Sequence, residues 1–272
     1  MRLQSVLLFI LFGLAQAVAE SPSATNVPPR ALPLDSANLA NAAPAPGAMP
    51  LAVPGGVNVH WYGHGFVYLT SSVGVRAAID PFGPNVVHYK FPTHMTADFV
   101  LISHEAEDHA ASDQFFGSPQ IFRSVTAVGL NRANGIPFHG VSLQKDSSGH
   151  GGATTAFTLN FDGVSFCYIG QINRPLLGEE KQQFGHADVV FLPVGLMTLS
   201  VSDFNQIIRD LGARIIIPIN YKTEKSGDLP LRSLEDYLKE NKFPVSKIGT
   251  DEMVITRGSL PAEPTVYVLK SP

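Results

Sequence analysis

The segment Leu101-Ile102-Ser103-His104-Glu105-Ala106-Glu107-Asp108-His109-Ala110 begins within an apolar run. That run extends from Phe99 to Ile102, and the residues after it are mostly polar. The polar part of the segment contains two imidazoles, His104 and His109, and the carboxylate of Asp108. Histidine nitrogen and aspartate oxygen are common zinc ligands in proteins. Because the apolar run predicts a buried strand, these side chains would be anchored at the end of that strand and would face a cleft. The segment therefore predicts a metal or catalytic site.

The N-terminus has the pattern of a secretory signal peptide over residues 1–19. Arg2 precedes an apolar run from Val6 to Leu14, and small residues up to Ala19 provide a cleavage site. The apolar run is shorter than the roughly 20 residues that a membrane-spanning helix needs. We therefore expect a secreted or periplasmic protein that is not attached to a membrane after signal cleavage.

Residues 20–56 are rich in proline and alanine and contain no aromatic residue. Such a segment cannot bury enough apolar surface to offset the conformational entropy of the chain, so it predicts a disordered linker. The remaining residues, 57–272, are numerous enough to form one domain with a sizeable core. We therefore expect a single folded domain after the linker.

Charge and cysteine content exclude several classes of function. The formal net charge is −4, and no run of lysine or arginine provides the positive surface of a nucleic-acid-binding protein. We therefore expect no nucleic-acid partner. Cys167 is the only cysteine, so the chain forms no internal disulfide. Its place in the apolar run from Val164 to Ile169 predicts a core residue, because apolar surroundings raise the pKa of a thiol and make it unreactive.

Short β-rich runs separated by turn residues predict most of the strands. Three such runs between Val57 and Ile79 predict an antiparallel meander. The alternating run from Phe157 to Phe161, followed by the turn Asp162-Gly163 and a second apolar run, predicts a hairpin.

Further along the chain, strand-like runs alternate with helical spacing. Apolar residues from Phe204 to Leu211 recur at intervals of three and four, which predicts an amphipathic helix. Ser202 would cap this helix and Gly212 would end it, and Ser233 would begin a second helix. Strand meanders followed by alternating strands and helices predict an α/β fold in which two sheets pack together with helices outside, an α/β/β/α sandwich.

Six segments, taken in order, resemble the metallo-β-lactamase superfamily, and specifically its branch related to ascorbate-6-phosphate lactonase. The resemblance extends from Val57 to Leu269. The six segments are Trp61-Tyr62-Gly63-His64-Gly65-Phe66, Ile79-Asp80-Pro81-Phe82, Ser103 to His109, Tyr168-Ile169-Gly170-Gln171, Val189 to Gly195, and Ile217-Pro218-Ile219-Asn220-Tyr221.

The resemblance implies the metallo-β-lactamase-like α/β/β/α sandwich and a metal-dependent hydrolase that acts on a lactone or ester-like small molecule. In this family, seven side chains from four loops hold two metal ions. Asp108 is expected both as a metal ligand and in catalysis. His139 is the alternative to His150 as the metal ligand that follows the motif. The residues of this chain at ligand positions are His104, Asp108, His109 and His150.

Three ligand positions of the family carry other residues in this chain. Ala106 replaces the second histidine of the motif, Gln171 replaces the aspartate that bridges the two ions, and Asn220 replaces the last histidine. A neutral amide does not supply the negative charge that two neighbouring cations need. One interpretation is therefore a site with at most one zinc ion, and the other is a metal-free pseudoenzyme that binds a small molecule in the same polar pocket.

Two further residues are expected to support the site. Asp80 ends an apolar run and is fixed by Pro81, so it either orients a histidine of the site or accepts backbone N–H groups in a turn. His64 lies in the glycine-flanked turn that is near the site in the family's fold, where it is expected as a structural neighbour of the ligands.

Overall fold

The computed structural model describes residues 55–144 and 152–272. The predicted signal peptide, the linker up to residue 54, and His150 lie outside the described residues. Within those residues, no helix is long and apolar enough to cross a membrane.

Fourteen strands form two sheets in the described part of the chain. In chain order they are β1 (Val57–Gly63), β2 (Phe66–Thr70), β3 (Arg76–Ile79), β4 (Phe99–Ile102), β5 (Gln120–Arg123), β6 (Gly129–Ala133), β7 (Ile136–Gln144), β8 (Ala153–Phe161), β9 (Val164–Tyr168), β10 (Val189–Pro193), β11 (Ile215–Ile219), β12 (Val245–Lys247), β13 (Glu252–Ile255) and β14 (Thr265–Val268).

The first sheet has the strand order β13-β1-β2-β3-β4-β5, and the second has the order β12-β14-β11-β10-β9-β8-β7-β6. The predicted meander is confirmed, because β1, β2 and β3 pair antiparallel. The predicted hairpin is also confirmed: β8 pairs antiparallel with β9 across the turn Asp162-Gly163. Both turn residues have positive φ, 49° and 78°, a conformation that aspartate tolerates and glycine adopts without strain.

Three α-helices accompany the sheets within the same residues: α1 (Gly178–Phe184), α2 (Val201–Leu211) and α3 (Leu234–Glu240). Ser233 caps α3 and Gly212 ends α2, as predicted. The prediction that Ser202 caps α2 is wrong. Ser200 is the cap, because its hydroxyl accepts the Asp203 N–H at 3.1 Å while the Asp203 carboxylate accepts the Ser200 N–H at 2.9 Å.

The main core lies between the two sheets and combines large side chains from both. Trp61 and Phe99 from the first sheet and Phe157 and Phe191 from the second are fully buried in one cluster. Cys167 belongs to this cluster, and burial raises the pKa of its thiol well above the usual range, which confirms it as a core residue. The two-sheet α/β architecture predicted from the sequence is confirmed.

The outer face of the first sheet is covered by the segments that precede and follow β4. Phe82, Tyr89 and Phe115 form a second buried cluster with Phe66 and other outward side chains of the sheet. The rings of Phe66 and Phe82 pack edge to face, with centroids 5.7 Å apart. Aromatic side chains from residues 82–115 thus bury the side of the sheet that would otherwise expose its apolar residues.

His60 on β1 provides a test of how burial couples to stability. Burial lowers its pKa below 6.5, and this effect outweighs the negative charges of Asp251 and Glu252 nearby. The unfolded chain therefore binds a proton that the folded chain binds less readily, so the free energy of unfolding should fall as pH drops below about 6.5.

We expect the His60→Gln variant to lose less stability than the wild type between about pH 8 and about pH 5.5. Urea unfolding of both proteins at the two pH values measures the difference. The variant keeps every other titrating group, so equal losses in the two proteins would contradict the assignment to His60.

Candidate metal and catalytic site

The polar segment after Ile102 forms a compact loop at the end of a fully buried strand. The strand β4 is buried at all four positions, and His104 and His109 are only 5% and 2% exposed. The loop closes on itself through the His109 N–H, which donates to the Ala106 carbonyl at 2.9 Å. The sequence prediction that the motif follows a buried strand is therefore confirmed.

Asp108 connects two imidazoles that come from different parts of the chain. Its Oδ2 lies 2.9 Å from His64 Nε2, and its Oδ1 lies 3.0 Å from His109 Nδ1. The candidate ligand atoms of the three residues all lie within 4.8 Å of one another. His64, from the turn between β1 and β2, therefore joins the two motif residues in one cluster.

The surroundings favour an ionised Asp108 and lower the pKa of His64. Burial alone would raise the pKa of Asp108, but hydrogen bonds and charge from His109 and His64 outweigh it and hold the pKa far below the usual range of a carboxyl. Burial lowers the pKa of His64, and the contact with Asp108 only partly offsets this. A carboxylate and neutral imidazoles are the protonation states in which these side chains bind metals.

His104 adjoins the cluster without completing it. Its ring centroid lies 4.5 Å from that of His109, and its Nδ1 lies 2.8 Å from the Ser103 hydroxyl oxygen. The group of three ligand atoms is formed by His64, Asp108 and His109, and His104 is not a member of it. His104 therefore lies next to the cluster as a neighbour of His109.

Asp80 supports the site from within the core. It is fully buried, and its Oδ1 accepts the Ser103 N–H at 2.6 Å while its Oδ2 accepts both the Ser103 hydroxyl and, at 2.9 Å, the Tyr168 hydroxyl. Burial raises the pKa of Asp80, and the charge of His109 and these hydrogen bonds oppose that rise. Both sequence interpretations fit this geometry: Asp80 accepts a backbone N–H, and through Ser103 it reaches the ring of His104.

The three residues that the resemblance places at replaced ligand positions differ in how directly they contact the cluster. Asn220, just after β11, donates its N–H to the His64 carbonyl at 2.8 Å, and its Nδ2 lies 3.5 Å from His109 Nε2. Gln171 is linked less directly, because its N–H donates to Thr154 Oγ1 at 3.4 Å and that hydroxyl donates to the Ser103 carbonyl. Ala106, in the motif loop, has no side-chain donor or acceptor.

His139 and Glu105 do not belong to the cluster, and His150 lies outside the described residues. His139 is on β7, paired with Thr158 of β8, whereas the motif contacts β8 at Thr154 and Thr155 near its other end. His150, the alternative to His139, lies outside the described ranges. Glu105 points away to form an ion pair with Arg123.

Two glycines allow the backbone to approach the site closely, and neither close approach was predicted from the sequence. A Cβ atom at Gly65 would lie 2.9 Å from His109 Nε2 and 3.0 Å from the Tyr168 hydroxyl. A Cβ atom at Gly195 would lie 2.0 Å from the carbonyl oxygen of Asn220. The signal for Gly65 was present in the Gly63-His64-Gly65 turn, but the nearness of Gly195 to Asn220 has no local signature.

We expect Gly195→Ala to displace Asn220 and to destabilise the fold by on the order of 2 kcal/mol, because the added methyl group meets backbone atoms that cannot rotate away. Urea unfolding measures the loss. Gly178→Ala is the matched control, since a Cβ atom there meets nothing within 4 Å. Equal stability of the two variants would contradict the close approach of Gly195 and Asn220.

Comparison with known proteins gives the chain its family. A family model described as "Beta-lactamase superfamily domain" matches residues 58–220, more than half of the chain. A search of curated proteins gives no significant match.

Solved structures of similar fold include hydrolases from bacteria and archaea. A putative zinc-dependent hydrolase of the metallo-β-lactamase superfamily from Thermotoga maritima is 25% identical, with a TM-score of 0.63 over 79% of this chain and 100% of its own. A putative metal-dependent hydrolase from Parabacteroides distasonis is 22% identical, with a TM-score of 0.51 over 68% of this chain and 89% of its own.

A third structure, the metallo hydrolase Igni18 from Ignicoccus hospitalis, is 19% identical and has a TM-score of 0.51 over 68% of this chain and 90% of its own. At these identities, the second and third likenesses establish the fold alone. The match to the family model, the two sheets and the histidine–aspartate loop after β4 agree with one another. The chain belongs to the beta-lactamase superfamily and has the fold of its metal-dependent hydrolases.

Proposed function

We propose that this protein is a hydrolase with a one-metal centre held by His64, Asp108 and His109. The observation that supports the proposal is the convergence of their ligand atoms within 4.8 Å in a largely buried cluster. Two histidines and one carboxylate provide the three protein ligands that a catalytic zinc site needs, and they leave a position for water or substrate. The donor set therefore fits the metal that the family uses.

The residues at the other ligand positions of the family argue against a second ion. Ala106 offers no ligand atom, and Gln171 and Asn220 are neutral amides where the family has a charged or imidazole ligand. Asn220 lies beside His109, with its Nδ2 3.5 Å from His109 Nε2, and a neutral amide adds no negative charge to balance a second cation. We therefore infer that at most one ion is held per chain.

A bound zinc ion would supply a Lewis acid that polarises a carbonyl group and makes a water molecule acidic at neutral pH. The protein's own groups fix the geometry around it. Asp108 holds the rings of His64 and His109 in place, and the Asn220 side chain offers an N–H beside His109 that can donate to a substrate oxygen. Because the amides at Asn220 and Gln171 are uncharged, we infer a neutral lactone or ester-like substrate.

A second candidate is a metal-free protein that binds a small molecule in the same polar pocket. One observation favours it: the Asp108 carboxylate already contacts two imidazoles, and these contacts can stabilise its negative charge without a cation. In this case His64, His109 and Asn220 would bind ligand through hydrogen bonds alone.

Zinc stoichiometry separates the two candidates. We expect dialysed wild-type protein to retain about one zinc per chain, and His64→Ala and Asp108→Asn to bind zinc at least about tenfold more weakly because each removes a ligand. Isothermal titration with Zn²⁺ and elemental analysis measure this. His88→Ala is the control, because His88 is exposed and belongs to no cluster of the described residues.

The expected activity is hydrolysis of p-nitrophenyl butyrate or γ-butyrolactone that is lost on chelation and restored by zinc. A wild-type protein that binds no zinc would exclude the one-metal proposal and leave the metal-free candidate. Two tightly held ions per chain would exclude both candidates, because they would require ligands other than the three residues named here.

A further inference from the structure

A cavity of about 550 Å³ lies on the second sheet, beside the end of α1. It is lined by residues on one face of the edge strands: Leu130 on β6 pairs with His139 on β7, which pairs with Thr158 on β8. Phe184, at the end of α1, forms a wall. This volume lies within the range of roughly 300–1,000 Å³ that is usual for small-molecule sites.

The cavity is separate from the histidine–aspartate cluster. It includes Asn160 and Ser165, which flank the Asp162-Gly163 turn at one end of the β8–β9 hairpin. The motif contacts β8 at Thr154 and Thr155, toward the opposite end of the strand. A ligand in this cavity would therefore occupy a site that the proposed hydrolase centre does not use.

Positive charge and apolar surface meet in this cavity. Among the described residues that line it, only Arg132 and His139 can carry charge, and none is an aspartate or glutamate. The exposed Arg132 donates from Nη1 to the Gly135 carbonyl at 2.8 Å, and within residues 55–144 and 152–272 it forms no ion pair. Leu130, which lines the cavity, is 88% exposed and can offer its apolar surface to a ligand.

We propose that this cavity binds a small amphipathic acid, a molecule with an apolar body and one carboxylate or similar anionic group. Arg132 binds the anion, since guanidinium matches a carboxylate with two parallel N–H groups, and His139 lines the same cavity as a second donor. Leu130 and Phe184 contact the apolar body. The charge of the lining selects this occupant, because a neutral apolar partner would leave Arg132 without a counter-charge.

Binding of decanoate tests the proposal, with 1-decanol as the neutral probe of the same length. We expect Arg132→Gln to weaken decanoate binding by about tenfold while changing decanol binding little, because the substitution removes charge and keeps the apolar surface. Leu130→Ser should weaken both. Isothermal titration calorimetry measures the affinities, and circular dichroism verifies that the variants are folded.

Two control variants make the test specific. Lys242→Gln removes a positive charge from a different surface cavity, between α2 and α3, and should leave decanoate binding unchanged. His64→Ala disrupts the proposed metal cluster and should also leave it unchanged, so failure of the hydrolase proposal would not be mistaken for failure of this one.

The proposal is overturned if Arg132→Gln binds decanoate as the wild type does, or if the wild type does not bind decanoate. It is also overturned if sedimentation shows a wild-type dimer that Leu130→Ser dissociates and decanoate does not affect. In that case Leu130 would be covered by a second copy of the chain.

Discussion

The buried carboxylate of Asp80 joins the two sheets at the end where the candidate site lies. It follows β3 of the first sheet, and it accepts hydrogen bonds from Ser103 after β4 and from Tyr168 at the end of β9 in the second sheet. A buried carboxylate without partners would destabilise the fold by several kcal/mol, so these donors must keep their positions. Asp80 thereby fixes the relative position of three strand ends.

The candidate site is built on this connection. Ser103 contacts the ring of His104 on one side and Asp80 on the other. The Tyr168 hydroxyl also lies 3.0 Å from the Gly65 carbonyl, which brings the turn that carries His64 against the motif loop. Because Gly65 has no side chain, this turn can approach His109 closely enough for His64 to meet Asp108. The hydrogen bonds in the core thus set the positions of the imidazoles.

The sequence predicted local features directly, whereas the expectation that His64 lies near the site came only from the resemblance to the family. The buried strand before His104, the Asp162-Gly163 hairpin and the Ser233 cap each have a signature within a few residues. His64 and Asp108 are far apart in sequence, and their contact follows from strand order and from the close approach at Gly65, which spacing does not encode. The misplaced cap at Ser202 has a local cause: Ser200 with Asp203 is the better capping pair, and its spacing was visible.

Charge connects the uncharged residues Ala106, Gln171 and Asn220 with the proposed one-metal centre. In the proposed centre, Asp108 would provide one negative charge and metal-bound imidazoles would provide none, so one divalent ion would leave a single positive charge. That charge suits an electron-rich carbonyl oxygen. A second ion would add two further positive charges without the bridging carboxylate that Gln171 replaces, and in a buried site such charges are strongly destabilising. The proposal of a single ion is therefore consistent with the amide at Gln171, because a second ion there would lack a balancing carboxylate.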